Sequence, residues 1–317
     1  MLNLPMANLL NKNSKVAVTS RSFSRNEELV SHLKNKFKNV KLNSEGLSLK
    51  GKSLIEFLDS MDAAIIGIEP MTNHVISKLP SLRLISKYGV GTNNLDMNAI
   101  KKNNIALSLS PGSNSQSVAE YALYLILLSL RQNFNNLEEI SRSIWSQKKG
   151  RELYGKKIGI IGYGNIGKKL TNILGPFNVE VMVFDKVKIK LNKTQQSFIT
   201  QVPLNKLLKE ADILSIHLPL LESTNNFLTK KEFSLMKKHA VIINTSRGGI
   251  VNESDLHQFL KNNPEAFGAF DVFSKEPIFD SKLFKLPNFF ASSHRASLTS
   301  EGIHNMGMAA IDGLLKK

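Results

Sequence analysis

The stretch that most constrains the fold of this chain lies at residues 157–185. It opens with an apolar run, KIGII, which is typical of a buried strand, and continues with the glycine motif GYGNIG at residues 162–167. A helix-like segment, GKKLTNIL, follows at residues 167–174, and a second apolar run ends at Asp185. Asn165 and Ile166 lie within the glycine motif and are candidate cofactor-binding residues. Strand, glycine turn, helix, strand and acid in this order predict a βαβ unit that binds a dinucleotide.

Each part of this motif has a physical reason. Gly162 permits a tight turn, Gly164 lets the backbone approach a pyrophosphate, and Gly167 allows close packing of helix on strand. The helix N-terminus favours the anion. Asp185 stands where the motif places an acid for the ribose hydroxyls, and its charge repels a 2′-phosphate, so NAD is expected and NADP is less favoured. The lysines within residues 186–190 either shift this preference toward NADP or are simply solvated.

Strand-like and helix-like segments alternate along most of the chain. The alternation runs for about 100 residues, pauses at a long apolar helix over residues 113–131, and then restarts. It predicts two α/β domains with parallel sheets, and a terminal helix at residues 297–317 that packs back on the first domain. The predicted strands are residues 16–20, 63–68, 82–86, 105–109, 157–161, 180–185, 213–217, 240–245, 267–272 and 288–292.

Three polar residues follow predicted strands of the second domain: Arg247, Glu276 and His294. The carboxyl ends of parallel strands share the edge at which α/β sheets bind ligands. Histidine exchanges protons near neutral pH, a carboxylate beside it orients the ring, and arginine presents a fork to a carboxylate. Taken singly, these are equally a surface charge, a turn residue and an ordinary histidine. Together they fit hydride transfer at a 2-hydroxy acid.

Seven ordered blocks of the sequence resemble the D-isomer-specific 2-hydroxy acid dehydrogenases. The resemblance implies two doubly wound parallel-sheet domains with the active site in the cleft between them, an NAD cofactor and a homodimer. The NAD-binding Rossmann domain would span residues 109–292, and a flavodoxin-like substrate domain residues 1–108 and 293–317. The blocks are KYGVGTNNLD (87–96), SVAE (117–120), IGYGNIGKKL (161–170), HLPL (217–220), INTSRGGIV (243–251), GAFDVFSKEP (268–277) and LPNFFASSH (286–294).

The resemblance also implies roles by position. Arg247 matches the arginine that holds the substrate carboxylate or carbonyl, and Glu276 matches the acid paired with the catalytic histidine, His294. Val90 and Gly91 match a turn whose backbone N–H groups bind the substrate carboxylate. Three further residues match positions that line the cofactor: His217, Thr245 and, near the nicotinamide amide, Asp271.

The substrate within this class stays open. The blocks look closest to short phosphoglycerate dehydrogenases without a regulatory domain, so a phosphoglycerate-like substrate is one possibility. Those enzymes tend to carry an arginine for the phosphate near Gly67, which is absent here, and Glu69 would repel a phosphate. Arg295 directly follows the histidine, and it either binds a second anionic group or points to solvent.

Composition excludes several other classes. The chain has no cysteine, which excludes a thiol nucleophile or thiolate zinc site, and its histidines have no metal-ligand spacing. The net charge of +16 suggests nucleic acid, but the lysines are scattered and arginine is sparse, so a small anionic 2-hydroxy or 2-oxo acid is the expected partner. The longest apolar stretch, residues 121–130, is too short to span a bilayer, and a poor signal peptide makes the cytoplasm the expected compartment.

One alternative function of a different class stays open. Dinucleotide-sensing regulators of the co-repressor type are built on the same fold and carry the same three residues. They bind the cofactor without turnover, so the residues alone do not distinguish them from the enzymes.

Overall fold

The computed structural model describes residues 10–132 and 136–315. The chain divides into two compact units. The first contains the residues up to Asn114 together with those from Leu298 on, and the second is Ser115–Ser297. These divisions lie later in the chain than the predicted 108/109 and 292/293. The long helix begins only at Ser115, and the turn that carries His294 is hydrogen-bonded to Phe270 and Asp271 of the second unit.

The first unit is built on a five-stranded parallel sheet. Its strand order, β2-β1-β3-β4-β5, is the flavodoxin-like order. The strands are β1 (Lys15–Val18), β2 (Asn39–Leu42), β3 (Ala63–Ile66), β4 (Leu84–Lys87) and β5 (Ala106–Ser108). The helices are α1 (Arg21–Ser24), α2 (Glu27–Lys36), α3 (Lys52–Leu58), α4 (Asn73–Ile76), α5 (Met97–Lys102) and the C-terminal helix (Ser300–Leu315).

Both faces of this sheet are covered. In β3, Ala63 and Ile65 belong to one apolar cluster, while Ala64 and Ile66 belong to the cluster on the other face. This alternation is the period of two expected of a strand between two helical layers. The C-terminal helix lies on one face, as predicted, and Phe23, Leu29 and Leu33 pack with it there.

The second unit is built on a seven-stranded parallel sheet of order β12-β11-β10-β9-β6-β7-β8. The central turn-around at β6 and β9 is the topological switch point of the Rossmann fold. The strands are β6 (Lys157–Ile161), β7 (Glu180–Phe184), β8 (Ile199–Gln201), β9 (Ile213–Ile216), β10 (Val241–Asn244), β11 (Phe267–Phe270) and β12 (Phe289–Ala291). The helices are α6 (Ser115–Arg131), α7 (Asn136–Ser141), α8 (Asn165–Leu174), α9 (Lys193–Gln196), α10 (Leu204–Glu210), α11 (Lys230–Phe233) and α12 (Glu253–Asn262).

The predicted fold class is confirmed, and every predicted strand is present. Two edge strands, β2 and β8, were not predicted, nor was the short helix α7 within the polar stretch after α6. Within the described residues, no helix combines the length and the apolar character needed to cross a bilayer.

Candidate active site

The glycine turn after β6 has the geometry that the motif predicted. Gly162 has a φ of +95°, and a Cβ atom there would lie 2.6 Å from the carbonyl oxygen of His217. A Cβ on Gly167 would lie 2.3 Å from the carbonyl oxygen of Gly162. Both positions therefore exclude any side chain, whereas a Cβ on Gly164 would meet no described atom within 4 Å. Gly164 caps α8, so the open space lies in front of the N-terminus of that helix.

Asp185 lies beside this turn. Its Oδ2 atom accepts a hydrogen bond from the backbone N–H of Tyr163 at 2.7 Å, and its Oδ1 atom accepts one from Val187 at 3.0 Å. The carboxylate is half-buried at the end of β7. The hydrogen bond from Tyr163 places the predicted ribose-binding acid next to the glycine turn, from which α8 begins with Asn165 and Ile166.

Three buried polar atoms near the same sheet edge have no hydrogen-bond partner among the described residues: Nδ1 of His217, Oγ1 of Thr245 and the hydroxyl of Tyr163. The His217 Nε2 atom contacts the hydroxyl of Ser215 at 2.9 Å. Burial lowers the pKa of His217 to about 3, so the ring is neutral. Because an unsatisfied buried polar atom costs free energy, these positions fit an additional polar ligand along β6, β9 and β10.

The three residues predicted at strand ends come together in the second unit. Arg247 follows β10, Glu276 follows β11 and His294 follows β12. The Nδ1 atom of His294 lies 2.6 Å from Oε2 of Glu276, while Oε1 of Glu276 accepts a hydrogen bond from the backbone N–H of Phe273 at 2.8 Å. The carboxylate therefore fixes the ring through Nδ1, and Nε2 is the ring atom placed to exchange a proton with a ligand.

Glu276 interacts electrostatically with both His294 and Arg247. Burial on its own would raise the pKa of Glu276. The hydrogen bonds from His294 and Phe273 and the charges of His294 and Arg247 outweigh it, so the pKa lies below the usual 4.5. Burial lowers the pKa of Arg247, and the charge of Glu276 opposes that shift. An arginine stays protonated in proteins, so the group combines a cation, a carboxylate and an imidazole.

The turn that carries Arg247 is tightly constrained. The side chain of Asn244 donates to the carbonyl of Arg247 at 3.0 Å and accepts hydrogen bonds from the N–H and the hydroxyl of Ser246. A Cβ atom on Gly248 would lie 1.8 Å from the carbonyl carbon of Phe273. This close approach seats the Arg247 turn against the segment that leads to Glu276.

Asp271 lies behind the His294 turn. Its side chain is fully buried, and its carboxylate accepts hydrogen bonds from the hydroxyl of Ser292 at 2.6 Å and from the backbone N–H groups of Arg295 and Ala296 at 2.9 and 2.8 Å. Arg295 itself is exposed. Ser292 carries no signal in the sequence, because only the folded chain brings it to Asp271.

In the first unit, Val90 and Gly91 follow β4 in a half-buried turn. Glu69 is only 7% exposed, and its Oε2 atom accepts hydrogen bonds from the hydroxyl of Thr19 at 2.6 Å and from the N–H of Gly67 at 2.9 Å. The carboxylate is therefore turned into the unit rather than toward solvent. In the part of the chain that the structure describes, no group of three or more histidines and acids could hold a metal ion.

Residues 123–296 match the family model described as D-isomer specific 2-hydroxyacid dehydrogenase, NAD binding domain. The chain belongs to this family. The predicted family, enzyme class and cofactor are thereby confirmed, and the chain is an NAD-dependent oxidoreductase of D-2-hydroxy acids.

Curated relatives of this dehydrogenase have several substrates. It is 29% identical to the hydroxypyruvate reductase of Thermotoga maritima over 275 residues, and this alignment covers 85% of this chain and 89% of the relative. It is 32% identical over 280 residues to the D-3-phosphoglycerate dehydrogenase of Haemophilus influenzae, with 85% of this chain and 67% of the relative covered. It is 31% identical to the D-3-phosphoglycerate dehydrogenase of Methanocaldococcus jannaschii over 84% of this chain, but over only 52% of that longer relative.

Solved structures agree with the fold of the dehydrogenase. A Polaromonas protein assigned to the D-isomer specific 2-hydroxyacid dehydrogenases superposes with a TM-score of 0.86 at 25% identity, over 96% of both chains. The D-lactate dehydrogenase of Aquifex aeolicus superposes with a TM-score of 0.80 at 23% identity, over 94% of this chain and 93% of that chain. At this identity, the second likeness concerns the fold alone.

The residues of the dehydrogenase fit an NAD cofactor. The open N-terminus of α8 at Gly164 suits the pyrophosphate, and the half-buried carboxylate of Asp185 suits the ribose hydroxyls. The unsatisfied atoms of His217 and Thr245 are suited to hydrogen-bond further cofactor atoms. When bound, NAD supplies the hydride acceptor, and NADH the hydride donor.

Proposed function

We propose that His294 is the acid–base group of a reversible conversion between a D-2-hydroxy acid and its 2-oxo acid. The observation that carries this proposal is the 2.6 Å contact between Nδ1 of His294 and Oε2 of Glu276. A carboxylate on Nδ1 fixes the tautomer and the orientation of the ring and stabilises its protonated form. In oxidation, Nε2 of His294 takes the proton of the substrate hydroxyl. In reduction, it returns a proton to the oxygen of the 2-oxo group.

The other residues hold the substrate in this scheme. The guanidinium of Arg247 provides a fork for the substrate carboxylate or for the neighbouring oxygen. The turn at Val90 and Gly91 is the proposed source of backbone N–H groups for the carboxylate. Binding of this kind aligns the reacting carbon and hydroxyl before reaction, which lowers the entropic part of the barrier.

We propose a small, unphosphorylated 2-oxo acid as the better substrate. Gly67 provides no side chain to hold a phosphate, and the carboxylate of Glu69 is already occupied by Thr19 and the Gly67 N–H. A phosphoglycerate-like substrate is the second candidate, favoured by the likeness to phosphoglycerate dehydrogenases.

A substrate panel tests this function. Glyoxylate, hydroxypyruvate, pyruvate and 3-phosphohydroxypyruvate are offered with NADH and with NADPH, and cofactor oxidation is followed by absorbance. We expect turnover of at least one unphosphorylated acid with NADH as the preferred donor. A faster reaction with 3-phosphohydroxypyruvate would overturn the proposed substrate. Tight NADH binding with no turnover of any acid would instead favour the dinucleotide-sensing regulator.

We also propose a homodimer that forms through the second unit. Exposed apolar side chains that cluster on a surface mark protein–protein interaction sites. Those on α6, α7 and the following loop are Tyr124, Leu127, Leu137, Ile140, Ile144 and Trp145, with Leu137 and Trp145 each 81% exposed. Light scattering coupled to size exclusion checks the mass, and a monomeric mass at micromolar concentration contradicts the dimer.

The proposed compartment is the cytoplasm, because the reaction draws on a dinucleotide pool that cells keep inside. We propose no specific nucleic-acid partner, since the basic residues are scattered along the sequence.

A further inference from the structure

His294 has an unusual backbone conformation. Its φ is +51°, in the left-handed region that a bulky side chain adopts only when the surrounding structure holds it there. Packing does not supply that support, because Ser293, His294 and Arg295 are all exposed. The conformation nevertheless decides where the imidazole points, and so whether Nδ1 reaches Glu276.

Hydrogen bonds to Asp271 supply the support. The backbone carbonyl of Asp271 accepts the N–H of His294 at 2.9 Å. Its carboxylate accepts the next two N–H groups of the turn, those of Arg295 and Ala296. Three successive N–H groups thus converge on one fully buried residue. Bonds from N–H groups to a carboxylate are stronger than neutral ones, and here they also compensate the buried charge.

Ser292 ties the other side of the turn to the same carboxylate. Its hydroxyl donates to Oδ1 of Asp271 at 2.6 Å, and its backbone N–H donates to the carbonyl of Phe270 at 2.9 Å. The Asp271 carboxylate therefore contacts the chain both before and after His294. Both of its oxygens accept hydrogen bonds from this turn, which gives Asp271 a supporting role beside the cofactor contact that the family resemblance implied.

We propose that Asp271 and Ser292 are positioning residues that hold the His294 turn so that the imidazole meets Glu276. This inference rests on the proposed function, in which His294 is the acid–base group. Neither residue transfers a proton. Each acts through the backbone of the turn, and its loss would leave His294 in place chemically but misdirected.

The matched variants are Ser292→Ala, which removes the hydroxyl, Ser292→Thr, which keeps it, and Ser293→Ala, which removes an exposed neighbouring hydroxyl. With the best acid of the panel, Ser292→Ala should lower kcat about tenfold, because small misplacements of a reacting group have large effects on rate. Its KM and its affinity for NADH should change less than about twofold, since substrate and cofactor contacts are intact. Ser292→Thr should recover the rate, and Ser293→Ala should match the wild type. Asp271→Asn should lower kcat more than Ser292→Ala does, because the amide replaces one acceptor oxygen with a donor that faces an N–H group.

A spectroscopic measurement on the full chain without cofactor separates this inference from the proposed function. With ¹⁵N-labelled histidine, the Nδ1–H signal of His294, identified by its absence in His294→Ala, should be shifted downfield by the bond to Glu276. It should weaken or move in Ser292→Ala and in Asp271→Asn, and persist in Ser293→Ala. An unchanged signal together with an unchanged kcat in both variants would overturn the positioning role. Loss of NADH affinity in Ser292→Ala in proportion to its loss of kcat would also overturn the positioning role, in favour of an effect on the cofactor site. Full turnover by His294→Ala would contradict the proposed function. The Nδ1–H signal in Ser292→Ala and Asp271→Asn would still test whether these residues hold the His294 turn.

Discussion

The pairing of His294 with Glu276 is the smallest arrangement on which the chemistry depends. Their contact joins residues that follow different strands, and each has a second anchor: Glu276 through the N–H of Phe273, and His294 through Asp271. Arg247 adds a positive charge that lowers the pKa of Glu276 further. An ionised carboxylate beside an imidazole is the arrangement that general acid–base catalysis requires near neutral pH.

The substitution Glu276→Gln should affect both activity and stability. Glutamine cannot stabilise a protonated ring by charge, so kcat should fall about tenfold or more. The pKa of Glu276 is lower in the folded chain than the usual 4.5, so its ionisation stabilises the fold above that pH. This contribution disappears as the pH falls through the lowered pKa. Urea unfolding should therefore show a less stable variant at pH 7 and no difference in strong acid.

The exposed Glu265 provides the control for this comparison. Glu265→Gln should leave the free energy of unfolding within about 0.5 kcal/mol of the wild type at each pH. A stability difference for Glu276→Gln that stays constant from neutral pH to strong acid would contradict the assigned ionisation.

At the scale of single residues, the sequence predicted the charged groups of the site but not the groups that hold them in position. Arg247, Glu276 and His294 could be found because each follows an apolar run that reads as a strand. The support from Ser292 and Asp271 depends on the φ of His294 and on bonds across 21 residues of chain. Local patterns do not contain that information, since a serine next to a strand is an ordinary residue.

At the scale of elements, apolar runs were sufficient wherever a strand has neighbours on both sides. Strand β3 is buried at every position, and its sequence, AAII, predicts it without ambiguity. The edge strands β2 (NVKL) and β8 (ITQ) pair with one neighbour and carry polar residues, so their sequences do not differ from those of loops. The missed strands lie at one edge of each sheet, away from the switch points that position the site.

The C-terminal helix offers a test of how closely the elements pack. A Cβ atom on Gly313 would lie 2.4 Å from the hydroxyl oxygen of Ser86 and 2.5 Å from that of Ser108. Gly313→Ala should therefore lower the free energy of unfolding by about 1–3 kcal/mol, despite the higher helix propensity of alanine. Asp312→Ala, at an exposed position of the same helix, is the control and should change it by less than about 0.5 kcal/mol. Equal stability of Gly313→Ala and the control, measured by urea unfolding, would show that the helix does not approach β4 and β5 this closely.

At the scale of the whole molecule, the excess of 16 positive charges should act on the rate of substrate encounter. The substrates of this enzyme class are small anions, and a positive surface raises their local concentration. We expect kcat/KM for a 2-oxo acid to fall roughly two- to tenfold between low and high ionic strength, with a smaller change in kcat. A kcat/KM that is independent of salt would show that the charge has no part in substrate capture.

The most direct test of the account is the reduction of a 2-oxo acid by His294→Ala, with NADH affinity measured separately by fluorescence. The partly exposed His257 on α12 supplies the control variant, His257→Ala. We predict that His294→Ala lowers kcat by about 10²- to 10⁴-fold while NADH binds as in the wild type, and that His257→Ala does neither. A His294→Ala variant that keeps the wild-type rate would contradict the assignment of His294 as the acid–base group.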